Sequence, residues 1–221
     1  YTLFDDEKGY TYSNGKSISN FDGRWEGIIT LRRALSNSRN IPSLKAFQQV
    51  DNKKIIDLVT TVGIKPEISN GYIHEAHAIG AFTGSNPLTM AGAYQIFSNG
   101  GYYYEPYSVN KVVFRNTGEE ITYSSPKQRI ISDSTAYMIT DVLKDAVTYH
   151  QEKGLTKDII ASKSGTTNID SKTAAQKKIT DFVRDYWVIG YTNDTVISLW
   201  LGYDEISNKH KFKYSTDNNL R

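Results

Sequence analysis

The chain contains 221 residues, of which 38% are hydrophobic and 23% are charged, and its formal net charge is +2. This length and composition indicate one large globular domain, exclude intrinsic disorder, and leave no apolar run near the ~20 residues of a membrane-spanning helix. The lack of cysteine excludes disulfides, catalytic thiols and thiolate metal sites, and the small net charge gives no support for nucleic-acid binding.

The first third of the chain predicts a lead-in followed by three helices. Residues 1–24 are polar and rich in turn-forming pairs, which indicates an irregular segment. A threonine N-cap precedes a first helix over residues 31–36, and a proline in its first turn favours a second helix over residues 42–50. A third helix is expected over residues 52–62 from its helical spacing of apolar residues. Residues 37–41 would then form a short corner between the first two helices.

The rest of the chain predicts further helices and then a sheet. The expected elements are a helix from Asn86 to Asn99, a hairpin formed by residues 107–114 and 119–123, a long helix over 132–149, and strands over 159–167, 181–191 and 195–203. Helices followed by consecutive antiparallel strands indicate an α+β fold, in which an antiparallel sheet is flanked by helices in one domain over residues 1–221.

Two short motifs stand out against this framework. Ser38-Arg39-Asn40 occupies the corner between the first two helices, and Lys163-Ser164-Gly165-Thr166-Thr167 lies at the end of the first predicted sheet strand. Either triplet alone is weak, because a second Ser-x-Asn occurs at residues 108–110 inside a predicted strand, where a structural role is expected.

The flanks of these motifs resemble class A penicillin-binding proteins. Residues 27–50 are similar to the helix–corner–helix around that family's S-x-N motif, residues 80–109 to a helix and following strand, and residues 181–204 to the strand pair after K-[S/T]-G. The agreement in order and spacing covers nearly the whole chain. The resemblance implies a penicillin-binding transpeptidase or serine β-lactamase-like fold, and a D,D-transpeptidase that cross-links peptidoglycan stem peptides through a serine acyl-enzyme.

The resemblance also implies a role for each motif residue. Ser38 would bond to Lys163 and pass a proton to the leaving amine, while Asn40 would hold the substrate amide and Lys163 would supply positive charge. The expected substrate-binding residues on the strand are Ser164, Gly165, Thr166 and Thr167. Among them, the Thr166 N–H would be an oxyanion donor, and glycine would permit close approach of the substrate backbone. Arg39 is expected to point away as a surface or helix-end charge.

The nucleophile of such an enzyme comes from a third motif, S-x-x-K, at the start of a helix. The one literal match is Ser13-Asn14-Gly15-Lys16, where the Asn-Gly pair predicts a turn instead of a helix. We therefore expect no nucleophile in this chain and place the missing S-x-x-K before Tyr1. A glycosyltransferase domain and a membrane anchor are expected upstream as well, with this domain at the extracytoplasmic face of the cell membrane.

Several alternatives remain open at this level. The same fold could serve a β-lactamase or a non-catalytic sensor or binding module, although no E-x-x-L-N pattern of the class A β-lactamases is present. His74, Glu75 and His77 have a metal-like spacing, but no metal or other cofactor is expected. Residues 169–180 form either a lid over the cleft or a solvated loop. The expected partners are the D-Ala-D-Ala stem peptide, β-lactam antibiotics and, through the anchor, the membrane, with no nucleic acid.

Overall fold

A computed structural model describes residues 2–12, 14–149, 161–168, 174–176, 178, 182–207 and 212–213. Within these ranges the helices are α1 (Leu31–Ser36), α2 (Asn40–Gln48), α3 (Asn52–Thr61), α4 (Pro87–Ser98) and α5 (Asp133–Tyr149), with a 3-10 helix at Glu75–Ile79. The strands are β1 (Leu3–Asp6), β2 (Tyr10–Thr11), β3 (Ser17–Ile18), β4 (Gly27–Thr30), β5 (Ile68–Ser69), β6 (Tyr72–Ile73), β7 (Tyr102–Tyr103), β8 (Lys111–Val113), β9 (Glu120–Thr122), β10 (Gln128–Arg129), β11 (Ala161–Asn168), β12 (Phe182–Tyr191), β13 (Val196–Gly202) and β14 (Phe212–Lys213).

The main sheet is antiparallel and runs in the order β11-β12-β13, with β14 pairing with the start of β12. Lys163 on β11 stands opposite Ile189 on β12, and Gly165 stands opposite Trp187. In the described part of the chain β11 has one strand neighbour, so it is an edge of this sheet. The expected α+β architecture is confirmed.

One hydrophobic cluster joins the sheet to α1, α4 and α5. Leu143 of α5, Ala161 of β11 and Tyr191 of β12 are its buried members. Leu35 of α1 and Phe97 of α4 pack against them. Because Leu35 and Ala161 share this cluster, the end of α1 is brought close to the start of β11.

The prediction of an irregular lead-in over residues 1–24 is wrong. β1 pairs with β4 in an antiparallel register that places Leu3 opposite Thr30, and β2 pairs with β3 in a small hairpin. Phe4 and Asp6 are buried along β1. Local composition could not predict this strand, because the strand that pairs with β1 lies more than twenty residues further along the chain.

The helices around the corner begin where hydrogen-bond acceptors cap them. Thr30 accepts from the Arg33 backbone N–H, as its predicted N-cap position requires. α2 begins at Asn40, two residues before its predicted start, and its own N-cap residue makes no side-chain cap bond. The Asn20 side chain supplies that acceptor from another segment of the chain. None of the helices in the described ranges combines the length and the apolar composition that a membrane span needs.

Candidate active site

The corner between α1 and α2 holds Ser38 in an unusual backbone conformation. Its φ of +53° lies in the left-handed region, which residues other than glycine rarely adopt. The Ser38 N–H donates to the Leu35 carbonyl at 3.2 Å, and the Arg39 N–H donates to the Ala34 carbonyl at 2.9 Å. These two bonds close the end of α1 and turn the chain sharply into α2.

Lys163 approaches this corner from the sheet. Its Nζ donates a hydrogen bond to the Ser38 Oγ, across a separation of 125 residues in sequence, and a second one to the Ser164 carbonyl at 2.9 Å. The contact expected between the two motifs is therefore present. Two of the three ammonium donors have acceptors within the part of the chain that the structure describes.

Burial changes the ionisation of this lysine. Desolvation lowers the pKa of Lys163 from 10.5 to about 8, because a low-dielectric environment disfavours the charged form. The ammonium is still mostly charged at neutral pH, yet it is close to the point where it releases its proton. A group tuned in this way can both attract an anion and take part in proton transfer.

The remaining residues of the strand motif lie along β11. Thr166 and Thr167 are exposed, and Ser164 is half-buried. A Cβ added to Gly165 would lie 3.4 Å from the Trp187 Cβ, which is an ordinary contact, and Gly165 does not have a positive φ. Nothing in the described fold therefore requires glycine at this position.

Asn40 lies in the first turn of α2 and faces the β3 side of the corner. Its Nδ2 donates to the Ser19 carbonyl at 2.8 Å, and its backbone N–H donates to the Asn20 Oδ1 at 2.9 Å. One amide hydrogen of Asn40 is thus used within the protein. The structure brings Ser38 and Lys163 into contact, whereas Asn40 is bonded to residues of the lead-in.

Arg39 stands at the start of α2, so its expected helix-end position is confirmed, but the expectation of a surface charge is wrong. Its side chain is 2% exposed and forms an ion pair with Asp6, at 2.9 Å between Nε and Oδ2, and another with Asp22 at 3.0 Å. Burial lowers the pKa of Arg39, but hydrogen bonds to Asp22 and Asp6 outweigh that effect and raise it. Sequence reasoning missed this network, because neither acidic residue belongs to a recognisable motif.

The literal S-x-x-K match was expected in a turn. Ser13 itself lies outside the described residues. Around it, the Tyr12 N–H donates to the Lys16 carbonyl at 2.8 Å, and Gly15 has a φ of +77°. Asn14 and Gly15 therefore form the turn between β2 and β3, as the Asn-Gly pair predicts.

The histidine pair of the metal-like spacing makes local contacts. His74 Nδ1 accepts from the Ala76 N–H at 3.0 Å, and His77 Nε2 lies 3.1 Å from a Glu67 carboxylate oxygen. No group of three or more possible metal ligands occurs among the described residues.

The predicted lid over residues 169–180 falls largely outside the described residues, which include only 174–176 and 178 of it.

Comparison with known proteins places this geometry in a family. The profile of the penicillin-binding protein transpeptidase domain matches residues 1–219. Penicillin-binding protein 1A/1B of Bacillus subtilis (strain 168) is 40% identical over 209 residues, which cover 90% of this chain and 22% of that relative. Penicillin-binding protein 1A of Streptococcus pneumoniae (strain ATCC BAA-255 / R6) is 32% identical over 214 residues, which cover 91% and 29%. The chain thus spans less than a third of either relative.

Solved structures agree at the level of the fold. The penicillin-binding protein PonA1 from Mycobacterium tuberculosis superimposes with a TM-score of 0.76 at 20% identity, covering 95% of this chain and 58% of that one. Its complex with penicillin V gives a TM-score of 0.76 at 22% identity, covering 90% and 54%. From its sequence motifs and its fold, this chain belongs to the family of penicillin-binding protein transpeptidase domains.

Proposed function

We propose that the protein containing this chain is a D,D-transpeptidase that joins peptidoglycan stem peptides through a serine acyl-enzyme. The hydrogen bond between Lys163 and Ser38 carries this proposal, because it joins the two family motifs in one site. In the proposal the same site is acylated by penicillin, since a β-lactam presents a strained amide and a carboxylate to the same groups. The penicillin V complex of the similar PonA1 fold supports this extension.

The charge of Lys163 attracts the ligand, and its contact with Ser38 provides a route for a proton. The ammonium provides positive potential for the terminal carboxylate of the substrate, beside the hydroxyls of Ser164 and Thr166. Ser38 accepts a hydrogen bond from Lys163 and relays a proton to the leaving amine. Beyond the bond to Ser19, the contacts of the described residues leave a carboxamide oxygen and one N–H of Asn40 for the substrate amide.

The edge position of β11 suits an extended substrate. Such a substrate would add to this edge as a further strand, with main-chain hydrogen bonds to β11. Gly165 is free of any structural demand in the described fold, which supports a ligand-related reason for the missing side chain. The Thr166 N–H would then donate to the oxyanion, and loss of one such donor costs ~3–4 kcal/mol of transition-state stabilisation.

The nucleophilic serine is proposed to come from polypeptide outside these 221 residues. The Asn14-Gly15 turn supports this proposal, because a catalytic S-x-x-K needs the lysine one helical turn after the serine. An upstream glycosyltransferase domain and membrane anchor, with this domain at the extracytoplasmic face, complete the proposed parent protein. The greater lengths of the relatives, of which this chain covers 22% and 29%, leave room for such parts.

Mass spectrometry with a labelled penicillin tests the proposal. The intact protein should gain the mass of one acyl group, located on the serine of an S-x-x-K helix. The 221-residue chain alone should gain none. An intact, folded protein that gains no mass would contradict the proposed function. An adduct on the chain alone, above all at Ser13, would instead overturn the external position of the nucleophile.

A further inference from the structure

Arg39 separates the two functional residues of the corner, and its side chain leaves the corner on the side of the lead-in. The guanidinium donates to the Asp6 carboxylate at 2.9 Å, to the Asp22 carboxylate at 3.0 Å and to the Arg24 carbonyl. The Arg39 and Asp6 side chains are 2% and 0% exposed. The buried Arg39 guanidinium therefore connects the middle of the S-x-N motif to β1 and to the turn after β3 by hydrogen bonds.

Asn20 connects the same carboxylate to the start of α2. Its Nδ2 donates to the Asp6 Oδ1 at 2.6 Å and to the Arg24 carbonyl at 2.9 Å. Its Oδ1 accepts from the backbone N–H groups of Asn40 at 2.9 Å and Ile41 at 3.5 Å. Asn20 thus takes the place of the missing N-cap of α2, and its position is fixed by Asp6.

Ser38 lies just before this fixed segment and adopts a φ of +53°. A non-glycine residue in that region is strained and keeps the conformation only when its surroundings impose it. The bonds at the end of α1 hold the chain before Ser38, and the bonds of Arg39 and Asn20 hold it afterwards. The two sets together fix the direction of the Ser38 hydroxyl.

We infer that Arg39, Asp6 and Asn20 are positioning residues, which hold Ser38 in its left-handed conformation with its hydroxyl on the Lys163 ammonium. The expected effect of these residues on catalysis rests on the proposed acyl transfer. Their effect on the conformation of Ser38 does not depend on that proposal. None of the three needs to touch the substrate.

A buried ion pair is a poor source of stability, because desolvation of both charges offsets most of their attraction. The buried ion pair instead fixes geometry, because a planar guanidinium can donate hydrogen bonds in several fixed directions at once. A lysine at position 39 would keep the charge, but its single ammonium could not reach Asp6, Asp22 and the Arg24 carbonyl in the same geometry. Arg39→Lys therefore keeps the positive charge but removes the set of directed hydrogen bonds.

The test compares Arg39→Lys with the parent in the intact protein, by crystal structure and by penicillin acylation kinetics. The crystal structure should show Ser38 outside the left-handed region and its hydroxyl beyond hydrogen-bond reach of Lys163. The first-order acylation step should slow by about 10- to 100-fold, as expected for a misplaced catalytic group. The dissociation constant of the complex before acylation should change by less than about threefold, because the groups that bind the carboxylate remain.

Arg32→Lys is the matched control. Arg32 lies on α1 and bonds to Asp141 and Asp145 of α5. Its side chain is 45% exposed, and none of its bonds among the described residues reaches the corner network. Its acylation step should stay within about twofold of the parent. If Arg39→Lys does not fold, Asp22→Ala removes one acceptor at the more exposed rim of the network, and it should slow the same step to a smaller degree.

A folded Arg39→Lys protein in which Ser38 keeps its conformation and its bond to Lys163 would overturn the inference, as would an acylation step equal to that of the parent. If the parent protein itself is not acylated, the proposed function is refuted, but the positioning inference is not. The crystal structures would still decide whether the network positions Ser38.

Discussion

The Lys163 ammonium donates a hydrogen bond to the Ser38 hydroxyl, although 125 residues separate the two in sequence. Lys163 lies on an edge strand, and Ser38 lies in a strained turn between two helices. The cluster that contains Leu35 and Ala161 brings these two elements together. The contact therefore depends on the packing of α1 against the sheet as much as on the two residues themselves.

Replacement of Lys163 by alanine should lower the second-order rate constant of penicillin acylation by about 100-fold or more, because the positive charge and the donor to Ser38 are both lost. Stopped-flow kinetics on the intact protein would measure it, with thermal unfolding as the measure of stability. Lys111→Ala is the control, since Lys111 is exposed and pairs with Glu120 within the β8–β9 hairpin. Equal rates in Lys163→Ala and the parent would refute the role of this lysine.

The acylation rate should also depend on pH through Lys163. Because burial lowers its pKa to about 8, the ammonium loses its proton as the pH rises through that value, and attraction of a carboxylate is lost with it. The second-order rate constant should fall above about pH 8, since it reports the ionisation of the free protein. In Lys163→Arg this alkaline decline should be absent at whatever lower rate remains, because arginine keeps its charge. An identical decline in that variant would assign it to another group.

The left-handed conformation of Ser38 predicts an order of stability between two substitutions. Ser38→Gly should be more stable than Ser38→Ala by about 1 kcal/mol, because glycine has no Cβ to resist a positive φ. Chemical denaturation of the purified protein would measure the difference. Ser43, inside α2, is the control position. There the order should reverse, with alanine more stable than glycine by about 1 kcal/mol. The same order at both positions would contradict the strained geometry of the corner.

Substitution of Gly165 by alanine should lower the acylation rate with little effect on the free energy of unfolding. In Gly165→Ala the new Cβ would make an ordinary contact with the Trp187 Cβ at 3.4 Å, so the free energy of unfolding should change by less than about 0.5 kcal/mol. Acylation should nevertheless slow, because the substrate backbone loses its close approach to β11. Gly101→Ala is the contrasting variant. Its Cβ would lie 2.2 Å from the Ile131 carbonyl oxygen at a φ of +94°, and it should destabilise the fold strongly. Unchanged acylation in Gly165→Ala would argue against this substrate path.

Some features follow from the sequence by itself because their causes are local. Thr30 before a helical run, Asn86 before Pro87, and the Asn14-Gly15 pair each specify a cap or a turn within a few residues. The spacing and flanks of the two motifs were likewise sufficient to predict the family and the α+β fold. The contact between Lys163 and Ser38 was expected from that resemblance.

Only the tertiary structure determined the surroundings of the site. β1 is a strand because β4 pairs with it, and Arg39 is buried because Asp6 and Asp22 are brought to it from the lead-in. The pKa of Lys163 depends on burial, and the conformation of Ser38 depends on bonds made from both sides of the corner. Each of these features depends on groups distant in sequence. A residue's type and immediate neighbours cannot specify them, because the free energy of a charge or a strained turn is set by what packs against it.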